Sequence, residues 1–387
     1  MRMRYQVLLL AFVRITLHSG SRMIYPFLSA FARGLGVDLA AISLAITVRS
    51  AAGLFTPFFS ALADRWNHKT GIQLGLAIFV IGNLLVVIWP TYMAFIISLV
   101  LASLGSYMVI PTTQAYLGDR VNFHQRGLAI GLNEAGWALG FMLGMPVIAF
   151  LIRRFGWLGP FPALVVMGLA MMVLVQRLLP SAETSGSDVA AHPKLKQALR
   201  LVFSSPIARI GLVMGFFISA ANEVVTLVFG VWIETSFGLM LAALGGAAAL
   251  IGVSELIGEL SSGSILDRLG KKRTLFLGLV FNGLTALALP WMGQELWGAL
   301  LGLTLFYFGY EFIIVSEITL MTGVLSSARA TLMGANLAFI SLGRMAGALI
   351  APVLYRSGFQ ANALAALAFD LLAILALWRF AAARKEN

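Results

Sequence analysis

The sequence predicts an all-α polytopic membrane protein with twelve transmembrane helices in two pseudo-symmetric six-helix bundles, and three observations lead to that class. The first is composition. Of the residues, 60% are hydrophobic and 11% charged, against roughly half and a quarter in a soluble domain, so the chain cannot cover itself with polar surface. The second is segmentation: cut at its charge and turn clusters, the chain falls into about twelve apolar stretches of about 20 residues or more, each long enough for a hydrocarbon core of roughly 30 Å. The third is an internal repeat at a constant offset of 203 residues. In lipid every backbone N–H and C=O must be satisfied within the segment, so these stretches are helices.

Span 1 covers 5–30. It is longer than a signal peptide and interrupted by Arg14, His18 and Arg22, so the chain is read as mature from Met1. These basic groups recur one per turn on one face, a cationic stripe, with Tyr25 beyond its end. Span 2, 39–63, brings Arg49 into the membrane and ends in a charged loop. Spans 3 (71–90) and 4 (92–117) contain no arginine. Span 5, 127–152, holds Glu134 and glycines 136, 140 and 144, one per turn, which permit close helix approach. Span 6, 157–179, closes an N-terminal bundle of residues 1–180.

Residues 181–205, rich in Ser, Ala, Lys and Pro, read as a linker, and residues 206–387 form the C-terminal bundle. Span 7, 208–234, carries Asn222, Glu223 and Thr226; Glu223 lies about 21 Å along the helix from Arg209, near mid-depth. Span 8, 240–265, carries Glu255 and Glu259 one turn apart. Span 9 is 273–293. Span 10, 296–322, carries Tyr307, Glu311 and Glu317, with Glu311 about 22 Å from Leu296. Span 11, 330–355, holds Arg344 between Gly343 and Gly347, and span 12, 359–380, holds Asp370, expected at the periphery.

Charge fixes the expected orientation. With an even number of spans both termini share a side, and that side collects 19 of the 27 Lys and Arg residues. The opposite side has only Arg33, Arg153, Arg154 and Arg356, and Arg14, Arg22, Arg49 and Arg344 fall within spans. The positive-inside rule then places both termini in the cytoplasm. The net charge of +11 is therefore topological, and no aromatic or motif support exists for a nucleic-acid partner. The absence of cysteine excludes disulfides and Cys-based zinc sites.

The 203-residue offset superposes Asp64, Arg65 and Lys69 on Asp267, Arg268 and Lys272, and Gly75 on Gly278. It also superposes Arg126, Gly131, Asn133, Gly140 and Gly144 on Arg329, Gly334, Asn336, Gly343 and Gly347. Parallel repeats of this kind mark transporters. The loop Gly263-Ser-Ile-Leu-Asp267-Arg268-Leu-Gly270-Lys271-Lys272 resembles the conserved loop of the major facilitator superfamily. Its partner is Ser60-Ala-Leu-Ala-Asp64-Arg65-Trp-Asn-His-Lys69, with Ser60 and Asn67 where the family usually has glycine. The stretch from Tyr25-Pro26-Phe27 through Gly34-Leu-Gly36-Val to Asp64-Arg65 is similar to the family's drug/proton antiporters. Those usually carry an arginine in span 4, absent here, so Arg14, Arg22 or Arg49 substitutes or coupling differs. Pro146 follows Gly144 by two residues, a partial match to the Gly-Pro stripe of antiporters.

The resemblance implies a secondary active transporter of the bacterial inner membrane that works by alternating access, with spans 1, 4, 7 and 10 lining a cavity. It implies gating by Asp64, Arg65, Lys69, Asp267, Arg268 and Lys271, the alternative being plain headgroup anchors. Ionisable groups within spans are the best functional pointers, because each is costly there unless paired or hydrated. Arg14, His18 and Arg22, with Tyr25 and Arg49, form either a site for an anionic solute group, a switchable partner for acids, or a permanent salt-bridge cluster. Glu223 and Glu311, beside Asn222, Thr226 and Tyr307, either carry protons or form static ion pairs. Glu255, Glu259, Glu134 and His18 are further proton candidates; a hydrated vestibule explains the first two more plainly.

The expected partners are a small organic or amphiphilic solute, possible negative charge included, together with protons and the lipid bilayer; the chain is expected to be a monomer without cofactor or metal. An uncoupled facilitator, an uptake symporter and, from another class, a transporter-like membrane sensor are the alternatives. Against an enzyme, the sequence has no Walker glycine loop, no His-Glu-x-x-His and no Gly-x-Ser-x-Gly.

Overall fold

The computed structural model describes residues 3–55, 67–121, 129, 131–180, 195–325 and 328–383. Among the described residues the chain is helical and contains no strand. It divides into two compact units, Met1–Asp188 with Leu239–Val253, and Val189–Gly238 with Ser254–Asn387.

The first unit contains α1 (Met3–Arg22), α2 (Leu28–Leu35), α3 (Leu39–Ala51) with a 3-10 turn at Ala52–Phe55, α4 (His68–Ile88), α5 (Tyr92–Arg120), α6 (Gly136–Phe155) and α7 (Pro160–Leu178). The predicted span 1 is thus broken. Pro26 offers no N–H and disfavours helical geometry at Tyr25, so the chain turns between α1 and α2. Asp38, Asn67 and Thr91 cap α3, α4 and α5 by accepting from the backbone N–H groups of Ala41, Lys69 and Ala94. Gly36, at φ 67°, ends α2 in the left-handed region that favours glycine.

The second unit contains α8 (Leu195–Ser204), α9 (Pro206–Thr226), α10 (Phe229–Phe237), α12 (Lys271–Met292), α13 (Leu296–Met321), α14 (Arg329–Tyr355) and α15 (Phe359–Ala383). The long helix α11 (Leu241–Leu269) gives residues up to Val253 to the first unit and the rest to the second. The described end of the predicted linker is helical: α8 buries Val202 in a core with Leu212, Ile218, Leu275, Ile313 and Phe380. Residues 181–194 lie outside the described set.

Ten helices among the described residues are long and apolar enough to cross a bilayer, or eleven if Leu28–Leu35 and Leu39–Phe55, bent by 109°, make one span. The helix α1 falls short on hydropathy because Arg14, His18 and Arg22 occupy it, not for want of length or burial: Leu10, Val13 and Leu17 are 0% exposed.

Candidate functional site

In the first unit the cationic stripe of α1 is buried, with Arg14, His18 and Arg22 between 4% and 7% exposed. The glycine stripe of α6 explains how two helices can meet over such bulky groups. A Cβ at Gly136 would stand 3.0 Å from Arg14 Cβ, one at Gly140 3.0 Å from His18 Cβ, and one at Gly144 2.2 Å from Ser19 Oγ. The same helix approach delivers polar and aromatic partners. Arg14 forms an ion pair with Glu134, whose other oxygen accepts from Gln114 Nε2 at 2.8 Å. His18 meets the Trp137 ring edge-on at 4.6 Å, and the Arg22 guanidinium lies 4.5 Å and 4.0 Å from the Trp137 and Phe141 ring centres. Such placement is favourable for a desolvated cation. Arg49 donates to the Ser21 carbonyl and to the Tyr25 hydroxyl, the latter at 2.7 Å. Five predicted residues of the first half, Arg14, His18, Arg22, Tyr25 and Arg49, are therefore buried in this unit, together with the half-buried Glu134 and Trp137 and the buried Phe141.

The second unit gathers carboxyls. Glu223, Glu255 and Glu311 are 2%, 2% and 6% exposed, while Glu259 is half-buried. A Cβ at Gly347 of α14 would lie 2.7 Å from Glu223 Cβ, and one at Gly258 of α11 2.9 Å from Glu311 Cβ. The helices carrying Glu255 and Glu259 and carrying Glu311 thus meet at a glycine between the two acids of α11. Tyr307 donates to Thr226 Oγ1 at 2.9 Å and ties α13 to α9. One turn on, Tyr310 is buried at 5% exposure, with the charges of Arg344 and Glu311 acting on its hydroxyl. Asn222, which precedes Glu223, is 8% exposed.

Sequence reasoning missed Gln114, Phe141 and Tyr310 as members of these clusters. Each is an ordinary helical residue whose role comes from the helix facing it. Arg344 had a signal, an arginine flanked by Gly343 and Gly347. Asp370 requires a correction: it is 1% exposed rather than peripheral, packed on α12 where a Cβ at Gly283 would stand 3.6 Å from its own Cβ. Small residues on α12 let α15 seat this face inward.

Of the predicted gating groups, Asp64 and Arg65 and the Asp267 side chain lie outside the described residues. Arg268 is exposed. Lys69 donates to the Gln176 carbonyl at 2.6 Å and Lys271 to the Thr319 carbonyl at 3.3 Å. Each lysine thereby satisfies a terminal carbonyl of a neighbouring helix, α7 or α13, where a cation also suits the helix dipole.

The model of the Major Facilitator Superfamily matches residues 10–352. The chain belongs to the major facilitator superfamily. Members carry small molecules across membranes, so this protein is a membrane transporter and not an enzyme. It is 27% identical over 304 residues to the MFS-type transporter YceJ of Bacillus subtilis (strain 168), covering 79% of this chain and 77% of YceJ. It is 22% identical over 347 residues to Multidrug resistance protein 2 of the same organism, covering 87% and 85%. A solved D-xylose-proton symporter superposes with a TM-score of 0.81 over 98% of both chains at 14% identity, a likeness of fold. The chain thus has the fold of the MFS transporters, with ten or eleven bilayer-crossing helices among the described residues.

Proposed function

We propose that this transporter is proton-coupled and works by alternating access on a small organic or amphiphilic solute, exporting it in the manner of a drug/proton antiporter. The observation that carries the reading is the burial of Glu223, Glu255 and Glu311 at 2%, 2% and 6% exposure within membrane-spanning helices. Ionisable groups within membrane-spanning helices mark proton pathways, and a buried carboxyl whose surroundings change as access alternates can bind and release a proton. The role of solute contact falls to the Arg22, Trp137 and Phe141 cluster, which offers an anionic group a cation and an aromatic body flat surfaces. Arg14 is committed to Glu134 and serves as a brace. Similarity to Multidrug resistance protein 2 supports an amphiphilic cargo, and the charge bias supports an inner-membrane protein with both termini in the cytoplasm.

The test uses proteoliposomes containing the full chain and a trapped pH indicator. Lipophilic fluorescent cations and anions are added under an imposed pH gradient. Solute flux that rises with the gradient and moves protons in the opposite direction supports antiport. Flux indifferent to the gradient marks an uncoupled facilitator, and protons moving with the solute mark a symporter.

A further inference from the structure

Glu317 takes no part in the site described above, yet it is 0% exposed, as is Asn336 opposite it on α14. Asn336 Nδ2 donates to Glu317 Oε2 at 3.1 Å. The two remaining oxygens, Glu317 Oε1 and Asn336 Oδ1, are buried and have no hydrogen-bond donor among the described residues. Both border one small space. A Cβ at Gly215 of α9 would stand 3.1 Å from Asn336 Oδ1 and 3.4 Å from Glu317 Oε1, so the glycine leaves room where the acceptors converge.

The charged groups on the helices packed around this point do not answer the carboxyl. Arg200 of α8, Arg209 of α9, Arg273 of α12 and Arg329 of α14 are exposed. Lys271 is engaged by the Thr319 carbonyl, and Arg344 and Glu311 lie beside Tyr310. Asp370 and Arg379 are on α15. Among the described residues Glu317 makes no ion pair; its polar partner is Asn336. An ionised Glu317 would leave a buried charge uncompensated and set two acceptor oxygens against each other without a donor, both costly.

We propose that Glu317 and Asn336 form a proton-binding site on the α13/α14 seam, in which Glu317 is a neutral acid that donates from Oε1 to Asn336 Oδ1. With the existing Asn336 bond, that donation closes a ring of two hydrogen bonds between acid and amide, and every oxygen gains a partner. Stepping back 203 residues from Glu317 and Asn336 gives Gln114 and Asn133, so the first half carries a neutral amide at the position equivalent to Glu317, although there Gln114 donates to Glu134 and not to Asn133. The site is separate from Glu223 and Glu311, and its readout does not depend on transport.

Infrared difference spectroscopy on the full chain in lipid nanodiscs, taken across a pH step in H2O and D2O, reads the site directly. The expected result is one deuterium-sensitive carbonyl band of a protonated carboxylic acid that is lost in Glu317→Gln, an isostere that keeps the Asn336 bond. The same band should shift in Gly215→Ala, whose methyl presses on both oxygens, and this second variant serves if the first does not fold. The band should be identical in NaCl and KCl. An unchanged spectrum in both variants would overturn the proposal, and a band suppressed by Na+ but not by K+ would replace the proton with a sodium ion.

Discussion

Tyr307 donates its hydroxyl proton to Thr226 at 2.9 Å, and this bond joins α9 to α13 one turn from Glu223 on the first helix and one turn from Glu311 on the second. A neutral buried hydrogen bond contributes about 1 kcal/mol. Tyr307→Phe should therefore lower thermal stability modestly, and adding Thr226→Val should cost little more, because both changes remove the same bond. A double-mutant cycle on melting temperature measures this; strictly additive losses would show that the two residues act independently.

The Arg14 and Glu134 pair should behave as a structural brace. Removing one partner of a fully buried pair costs ~3–5 kcal/mol, and a smaller loss is expected here because the Glu134 side chain is 30% exposed. Arg14→Gln should destabilise the purified protein more than Gln114→Leu does, since the latter leaves the ion pair intact. Equal melting temperatures for wild type and Arg14→Gln would remove the brace.

Helix contact in the second unit rests on glycine as it does in the first. A Cβ at Gly343 would sit 2.1 Å from the Phe216 carbonyl oxygen, whereas nothing lies within 4 Å of one at Gly118. Gly343→Ala forces α14 away from α9 and should cost about 1–3 kcal/mol, the usual penalty of overpacking. Gly118→Ala should be neutral or stabilising by up to ~1 kcal/mol through helix propensity. Thermal unfolding of the two variants side by side checks the contrast, and comparable losses would contradict it.

The repeated loop acids lead to a kinetic expectation. Asp64→Ala or Asp267→Ala should leave expression unchanged and slow the transport rate, because a contact made in one access state sets the rate of leaving it. Unaltered rates in both variants, measured in proteoliposomes, would reduce these loops to headgroup anchors.

Helix type and the membrane-spanning character of the chain were legible in the sequence because a bilayer imposes length and apolarity segment by segment. The glycine stripes were legible too: Gly136, Gly140 and Gly144 need only helical periodicity to be placed on one face, and the structure sets that face on Arg14, His18 and Ser19. The break at Pro26 was missed because hydropathy runs straight through it. Partnerships were harder. Glu134 was legible as an intramembrane acid, but its pairing with Arg14 depends on the packing of α6 on α1, and the seating of Arg22 between Trp137 and Phe141 depends on the same contact. Glu317 stood out only as one acid among seven. Its distinctive surroundings, Asn336 on one side and the space at Gly215 on the other, come from the packing of three helices, one of them about 100 residues away in sequence.

Proton coupling through the buried acids of the second unit is most directly tested by proton flux driven by a solute gradient in proteoliposomes, comparing wild type with Glu223→Gln and Glu311→Gln. The account expects solute-dependent proton movement in the wild type and its loss in at least one variant that still folds and still exchanges solute without a pH gradient. Proton movement of wild-type size in both variants would contradict it.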